Sequence, residues 1–196
     1  MSWLTREQIR GLGFRSVDDT ALLSSKAIFY NCAGISIGAR SRIDDLCVVS
    51  AGPGGIHIGR NVHIAVMCTL MGRERIEMHD FSGLSSRVAI YSSSDDYSGA
   101  TLTNPTVPDS FAARTHAAVI LARHVIIGAG SVILPGVELG EGCAVGAASV
   151  IRRSCEPFTM YSGNPARRVG ERQRELLEVE RRYVANLSDL PPSEAQ

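Results

Sequence analysis

The sequence lacks an excess of charge of either sign. Twenty basic residues balance twenty acidic ones, and nineteen of the basic residues are arginine. Proteins that bind nucleic acid through its phosphates usually carry a strongly basic domain or patch. We therefore expect no nucleic acid among the partners of this chain.

Long apolar runs and paired cysteines are also missing. The sequence contains no signal peptide and no run of about 18 apolar residues, so we expect a cytoplasmic protein without membrane insertion. Its five cysteines show no CxxC spacing, which disfavours a zinc or redox site. We interpret them as small core residues, because free cysteine packs like a small apolar side chain.

A six-residue repeat dominates the sequence. Seventeen units can be aligned; sixteen open with an aliphatic residue, and Ser82 is the exception. Most units place Gly, Asp or Ala second and a small or β-branched residue fifth. A hexapeptide period is the signature of a parallel β-helix. The units begin at Leu22, Ile28, Ile37, Ile43, Val49, Ile58, Ile64, Leu70, Ile76, Ser82, Val88, Leu121, Ile127, Ile133, Leu139, Val145 and Ile151.

Three units should make one triangular turn of about eighteen residues, with successive turns stacked ~4.8 Å apart. The first residue of each unit should then point inward, and the fifth should lie in the crowded interior and be small. The phase slips by three residues before Ile37 and before Ile58. The expected fifth-position residues are Ser41, Cys47, Val62, Cys68, Val125, Ser131, Val137, Cys143 and Ser149.

The largest interruption of the repeat lies between Val88 and Leu121. The 27 residues SSSDDYSGATLTNPTVPDSFAARTHAA do not follow the period. A long loop within a rigid repeat scaffold usually carries function. We therefore predict an active-site loop at about 92–118.

Three regions follow from this pattern. Residues 1–20 are expected to form an N-terminal helical cap, with Thr5 capping the helix. Residues 21–170 should form the β-helix. Residues 171–196 should form a C-terminal helix that ends in a frayed tail.

Four segments resemble one known family. They are IYSSSDDYSG (90–99), TNPTVP (103–108), VIIGAGSVILPGVELGEG (125–142) and SGNPARRV (162–169). The chain resembles the left-handed β-helix, hexapeptide-repeat acyltransferases. Within them it is most similar to sugar acyltransferases of bacterial surface-glycan biosynthesis, including N-acyltransferases that act on nucleotide-linked 4-amino-4,6-dideoxysugars.

The resemblance implies an assembly and a co-substrate. It implies a homotrimer whose active sites lie between neighbouring coils, with the long loop reaching across. It also implies acetyl-CoA or another acyl-CoA, lying along the coil towards its C-terminal end. No permanently bound cofactor and no metal are implied.

The resemblance further implies candidates for catalysis. Many hexapeptide acetyltransferases use a loop histidine as general base, yet none of the five histidines here aligns with it. Aminosugar relatives instead place an Asp of the SDDYSG run and a Ser of the LSSR segment against the amino group. These match Asp95 and Ser85, with Asp96 adjacent. His116 and His124 remain alternative candidates.

The missing histidine favours an amine as the nucleophile. A sugar hydroxyl needs a base to attack a thioester, whereas a sugar amine is partly neutral near pH 7. A carboxylate beside the amine then needs only to orient it and accept its proton. Relatives often carry Glu after DYSG, where this chain has Ala100, so its preferred sugar can differ from theirs.

Groups near the C-terminal end of the coil are expected to contact acyl-CoA. Backbone amides would also serve as oxyanion donors, arginines would hold phosphates, and two apolar residues would line the adenine. The resemblance places these roles on Gly128, Ala129, Gly146, Ala147, Arg153, Phe158, Pro165 and Arg167.

The sequence thus predicts an acyl-CoA-dependent acyltransferase that acetylates the amino group of a nucleotide-linked aminosugar. A sugar or polysaccharide O-acetyltransferase with His116 as base is the main alternative. A metal-dependent hydratase of the same fold needs three converging histidines, and no two histidines here are eighteen residues apart. A non-catalytic binding solenoid would have little use for the 27-residue loop.

Overall fold

Short strands wind into three sheets around one apolar interior. The structure is a computed structural model and describes residues 2–187. Two of the sheets have six strands and one has eight, and successive turns of the chain contribute neighbouring strands. Neighbours are parallel throughout the coil. The parallel β-helix predicted from the repeat is therefore confirmed.

The strands of each sheet follow in chain order along the coil axis. The first sheet contains Ser16–Val17, Ile35–Ile37, Ile56–Ile58, Ile76–Met78, Val119–Leu121 and Glu138–Leu139. The second contains Leu22–Leu23, Arg42–Ile43, His63–Ile64, Gly83–Leu84, Ile126–Ile127, Ala144–Val145, Thr159–Gly163 and Ala166–Glu171. The third contains Ile28–Tyr30, Val48–Ala51, Thr69–Gly72, Ala89–Tyr91, Val132–Ile133 and Val150–Ile151.

Two α-helices flank the coil. Helix α1 (Arg6–Gly11) is capped as predicted, because Thr5 Oγ1 accepts from the Gln8 amide and Gln8 Oε1 accepts from the Thr5 amide. Helix α2 spans Leu176–Ala185. Two 3₁₀ turns occur at Cys32–Gly34 and Asp109–Phe111.

The boundaries of the coil differ from the regions expected at the two ends. A strand at 16–17 already pairs with 35–37, inside the segment expected to be a helical cap. At the other end, 159–163 and 166–171 form an antiparallel hairpin that closes the coil before α2 begins. The tail predicted to fray, 191–196, lies outside the described residues.

Stacked columns of aliphatic side chains fill the interior. One such column joins Ile37, Ile58, Met78, Leu121 and Leu139 in successive turns, and each of these residues is buried. The predicted fifth-position residues are buried as well. All five cysteines are free and buried, as expected for core residues.

The predicted phase is wrong in two stretches. Leu23, not Leu22, is the buried residue of its strand, and Ile28 is 47% exposed. Between 76 and 90, the first positions of the units are Met78, Leu84 and Ile90. The predicted openers Ser82 and Val88 instead occupy fifth positions, which explains why a serine is tolerated there.

Turn length explains these errors. Val49 pairs with Leu70, 21 residues on, and Leu70 pairs with Ile90, 20 residues on. The 18-residue turn expected from the repeat occurs only later, where Ile133 pairs with Ile151. The extra residues of the early turns lie at the corners, so they shift the phase without disturbing the strands.

The alternation along Val119–Leu121 gives a test of the stacked interior. Leu121→Lys places an unpaired charge in a fully buried column and should lower the free energy of unfolding by about 3 kcal/mol or more. Ile120→Lys, the matched control, points outward between Glu77 and Glu138 and should change it by less than about 1 kcal/mol. Urea denaturation measures both; equal losses would contradict the assigned inward face.

Candidate active site

The corner between the second and third sheets carries several predicted site residues. Ser85 follows the strand Gly83–Leu84, and the register places Gly128 and then Gly146 beside it in the next two turns. The Ser85 amide donates to the Ile127 carbonyl at 2.9 Å. The structure therefore brings the candidate serine and the candidate acyl-CoA segment to one corner of the coil.

The amides of this corner differ in availability. Those of Gly128 and Gly146 donate to carbonyls of the next turn, at 2.7 and 2.8 Å, so they are not free to bind a ligand. Gly128 is required by packing, because a Cβ there would lie 2.5 Å from the Ala147 nitrogen. Within residues 2–187, the amides of Ala129 and Ala147 have no hydrogen-bond partner, and both residues are exposed. These two amides are the donors available for an oxyanion.

The long loop leaves the coil at the opposite end of the third sheet. Its two arms form an antiparallel ladder, in which Ser93–Asp95 pairs with Arg114–His116. Asp95 therefore lies at a different corner from Ser85. No contact between these two side chains occurs in the described part of the chain.

Arg114 holds the loop together. Its Nε lies 3.3 Å from Asp95 Oδ1, and its other nitrogens contact the Asp109 carboxylate and the carbonyls of Asn104 and Val107. The Asp95 side chain remains 35% exposed, and its Oδ2 has no hydrogen-bond partner among the described residues. Arg114 thus fixes the carboxylate through one oxygen and leaves the other available.

Asp96 has a local structural role. Its carboxylate accepts hydrogen bonds from the Ser98 amide at 2.8 Å, the Ser98 hydroxyl at 2.9 Å and the Thr101 hydroxyl at 3.2 Å. The bonds from Ser98 lower the pKa of Asp96. This carboxylate closes a turn of the loop, so of the two adjacent aspartates only Asp95 presents a free oxygen.

His116 lies at the base of the loop. Its Nδ1 is 2.8 Å from Ser93 Oγ, which also accepts the Arg73 amide at 2.9 Å. Its Nε2 has no hydrogen-bond partner within the described range. The contact ties the two arms of the loop to the coil, and the free ring nitrogen keeps His116 as a candidate base.

His124 anchors helix α2 to the coil. It is 8% exposed, and its Nε2 lies 2.8 Å from Glu180 Oε2. Its ring stacks on that of Phe81, with the two ring centroids 5.3 Å apart. Arg172 donates to its carbonyl at 2.7 Å. These contacts give His124 a packing role, which the sequence concealed because Glu180 is 56 residues away, and its predicted catalytic role stays a prediction.

Four arginines line a cavity of about 410 Å³ at the C-terminal end of the coil, together with Pro165 and Tyr161. The guanidinium groups of Arg152 and Arg153 have no partner among the described residues, whereas that of Arg168 contacts Glu171 at 3.2 Å. Guanidinium groups converging on an open cavity suit a phosphorylated ligand. The arginines are Arg152, Arg153, Arg167 and Arg168.

Phe158 does not line this cavity, and its predicted contact with the adenine stays a prediction. It is 7% exposed, its ring packs against Gly142, and the Arg174 guanidinium lies 4.6 Å from the ring centroid. Tyr161 is the aromatic residue of the cavity. Sequence reasoning missed Tyr161 because it belongs to the closing hairpin rather than to a repeat unit.

Within residues 2–187, no three His, Cys, Asp or Glu side chains are grouped so that they could hold a metal ion. No helix there is long and apolar enough to cross a bilayer.

Known proteins are similar to this chain both in the repeat and over most of its length. Residues 118–153 match the bacterial transferase hexapeptide family (six repeats). A dTDP-4-amino-4,6-dideoxy-D-glucose acyltransferase of Escherichia coli is 46% identical over 180 residues, which cover 92% of this chain and 94% of that protein. The chain belongs to the hexapeptide-repeat acyltransferases. The enzyme class predicted from the sequence is confirmed.

Solved structures agree with this assignment. AntD, an N-acyltransferase from Bacillus cereus, was crystallised with dTDP and 3-hydroxybutyryl-CoA; it is 40% identical, with a TM-score of 0.90 over 95% of this chain and 98% of that one. An AntD variant bound to dTDP-4-amino-4,6-dideoxyglucose and coenzyme A has 41% identity and a TM-score of 0.91, over 94% and 98% of the two chains. The predicted left-handed β-helix with an inserted loop is the fold class of this family.

The His124–Glu180 contact predicts how α2 is held. Glu180→Ala should raise the rate of amide hydrogen exchange in Leu176–Ala185 by about 10-fold or more. The reason is that it leaves His124 and Arg123 without their shared partner. The control Glu178→Ala removes only an exposed pair with Arg181 and should change exchange little. Equal exchange in the two variants would contradict the anchoring role.

Proposed function

We propose that this enzyme transfers an acyl group from acyl-CoA to the amino group of a dTDP-linked 4-amino-4,6-dideoxysugar. The main support for this proposal is a matching pair of residues. AntD was crystallised in variants that replace one serine and one aspartate ten positions apart, and Ser85 and Asp95 have the same separation here. The near full-length similarity to an acyltransferase for such a sugar supports the same substrate class.

The available groups suggest one sequence of steps. Asp95 Oδ2 and the Ser85 hydroxyl orient the sugar amine towards the thioester carbonyl. The nitrogen attacks the carbonyl carbon, and an amide of Ala129 or Ala147 stabilises the oxyanion. Asp95 accepts a proton from the nitrogen, the carbon–sulfur bond breaks, and a proton returns to the departing CoA thiolate. The products are the N-acylated sugar and CoA.

The site requires more than one copy of the chain. Ser85 and Asp95 lie at different corners, so one chain does not bring them together. The loop also carries exposed apolar side chains at its tip, where Tyr97 is 92%, Leu102 59% and Phe111 63% exposed. A homotrimer, in which each loop packs on the neighbouring coil, would cover these side chains and unite the two residues.

Acyl-CoA would lie along the corner that starts at Ser85. This corner leads through Ala129 and Ala147 to the closing hairpin and its arginine-lined cavity. The thioester would then be near Ser85 and the phosphates near Arg153 and Arg167. We place the reaction in the assembly of bacterial surface glycans such as lipopolysaccharide, as the resemblance implies, and in the cytoplasm, as expected from the sequence.

The arginine-lined cavity gives one test of this path. Arg153→Ala or Arg167→Ala should raise the KM for acyl-CoA by roughly 10- to 100-fold, as expected for a lost charge-assisted contact. The KM for the aminosugar should stay within about twofold. Arg181→Ala, on the exposed face of α2, is the control. Equal effects on both substrates, or none, would remove these arginines from the CoA path.

The choice of nucleophile is tested by two variants and two acceptors. Asp95→Asn should lower kcat/KM for dTDP-4-amino-4,6-dideoxyglucose by about 10- to 1000-fold, since it removes the proton-accepting oxygen. His116→Ala should keep at least roughly a tenth of the activity, because losing a true general base typically costs ~100-fold or more.

The same variants are assayed with the corresponding dTDP-sugar that carries a 4-hydroxyl group. Wild-type turnover of the amine but not of the alcohol is expected. Loss of turnover in His116→Ala, with Asp95→Asn near normal and the alcohol accepted, would replace this proposal with O-acetyl transfer.

A further inference from the structure

A second cavity lies next to Ser85, between the second sheet and the beginning of α2. Its volume is about 510 Å³, and Ser85 and Ser86 form one side of it. His63 and Asn61 line the side towards the N-terminal turns, while Leu176 closes the top. The cavity therefore opens directly onto the residue proposed to orient the nucleophile. Neither the repeat nor the CoA path explains its polar lining.

His63 is held in place by a buried carboxylate. Its Nε2 lies 2.9 Å from Asp44 Oδ2, while Arg42 Nε donates to Asp44 Oδ1 at 2.6 Å. Asp44 is only 3% exposed, whereas the His63 side chain is 52% exposed. Burying a carboxylate is costly unless it is paired. The same corner position holds Ala65 in the next turn, so the coil itself does not require an acid there.

The orientation of His63 leaves one ring nitrogen for a ligand. With Nε2–H donating to Asp44, Nδ1 of the neutral ring carries a lone pair and accepts hydrogen bonds. In the described part of the chain this nitrogen has no partner. A carboxylate that fixes an otherwise exposed imidazole is a common arrangement for a histidine with a defined contact.

Gly83 keeps the floor of the cavity open. It lies between His63 and Ile126 in the outward row of the second sheet. A Cβ at this position would meet nothing nearer than the His63 carbonyl at 3.7 Å, and its φ is not in the left-handed region. Packing and backbone geometry therefore do not call for glycine here. Glycine within a strand often marks the close approach of a ligand.

Asn61 supplies an acceptor that lacks a donor. Its Nδ2 donates to the Tyr183 hydroxyl at 2.9 Å, which fixes the amide group. Its Oδ1 is buried and has no hydrogen-bond partner among residues 2–187. Buried acceptors are normally satisfied. Asn61 thus forms part of the cavity wall with its amide group fixed by α2.

We propose that this cavity binds the acyl acceptor, with His63 as a contact residue and Asp44 as its positioning residue. The inference rests on the proposed function and adds where the nucleotide-linked sugar binds. His63 Nδ1 accepts hydrogen bonds, so it matches a hydroxyl or ring N–H group of a nucleotide sugar. Ser85 stands at the edge of the cavity, where the sugar amine must meet the thioester.

Two independent variants test the site. His63→Ala removes the contact, and Gly83→Leu fills the floor. Each should raise the KM for dTDP-4-amino-4,6-dideoxyglucose by about 10-fold or more, while the KM for acyl-CoA stays within about twofold. His57→Ala is the matched control, since His57 occupies the outward position of the first sheet, away from the cavity. Asp44→Asn should reproduce the effect of His63→Ala.

Thermal melting separates a binding defect from a folding defect. Gly83→Leu adds a side chain on an open surface and is expected to keep the melting temperature of the wild type. If the wild type acylates the aminosugar and both variants keep its KM, or both variants raise the two KM values equally, the inference is overturned while the proposed function stands. If the wild type acylates no dTDP-aminosugar, the proposed function fails and the inference falls with it.

Discussion

Close stacking of one turn on the next is the constraint on which the functional groups of this enzyme depend. At the corner after the second sheet, the backbones approach so closely that a Cβ on Gly128 would overlap the Ala147 amide. The amides of Ser85, Gly128 and Gly146 donate hydrogen bonds to carbonyls of the next turn, so they are not available to a ligand. What remains for chemistry is therefore limited to side chains that project from the corner and to amides that the stack leaves unpaired. Ser85 is one of the former, and the Ala129 and Ala147 amides are the latter.

The elements outside the repeat turn this uniform scaffold into distinct sites. The closing hairpin brings Arg167 over the turn that carries Arg153, which forms the basic cavity. Helix α2 is fixed by His124 and Glu180, and its first residues cover the cavity beside Ser85. The loop presents Asp95 through its pairing with Arg114. Each site thus combines a rigid corner with one added segment.

Much of the fold could be predicted from the sequence because the same pattern of inward-facing aliphatic residues recurs in many units. One aliphatic residue in six specifies the inward face, and errors arose only where extra corner residues changed the turn length. Ser82 looked like an exception to the rule, yet it obeys the rule for a fifth position once the 20-residue turn is known. Turn length is set by corner geometry, which carries a weak sequence signal.

The site was harder to predict because its contacts join residues far apart in sequence. Asp95 and Ser85 were predicted through a family motif, whereas the contacts of Asp96, His124 and Phe158 involve the partners Ser98, Glu180 and Arg174. All three partners lie outside the repeat, because Ser98 is in the long loop, Glu180 is in α2 and Arg174 lies just before α2. The packing of such a histidine or phenylalanine cannot be predicted without its partner.

The chemistry of the acceptor explains why so sparse a site is sufficient. An amine already carries its lone pair once it is neutral, so the protein needs to align it and accept one proton rather than generate a nucleophile. Asp95 meets this need if one oxygen is fixed and the other is free, which is the arrangement that Arg114 imposes. A hydroxyl acceptor would need a stronger base close to Ser85. His63 lines that corner cavity with its Nε2 held by Asp44, and we infer that it contacts the acceptor rather than acting as a base. The absence of a loop histidine aligned with the usual base and the presence of an oriented carboxylate thus favour the same reaction.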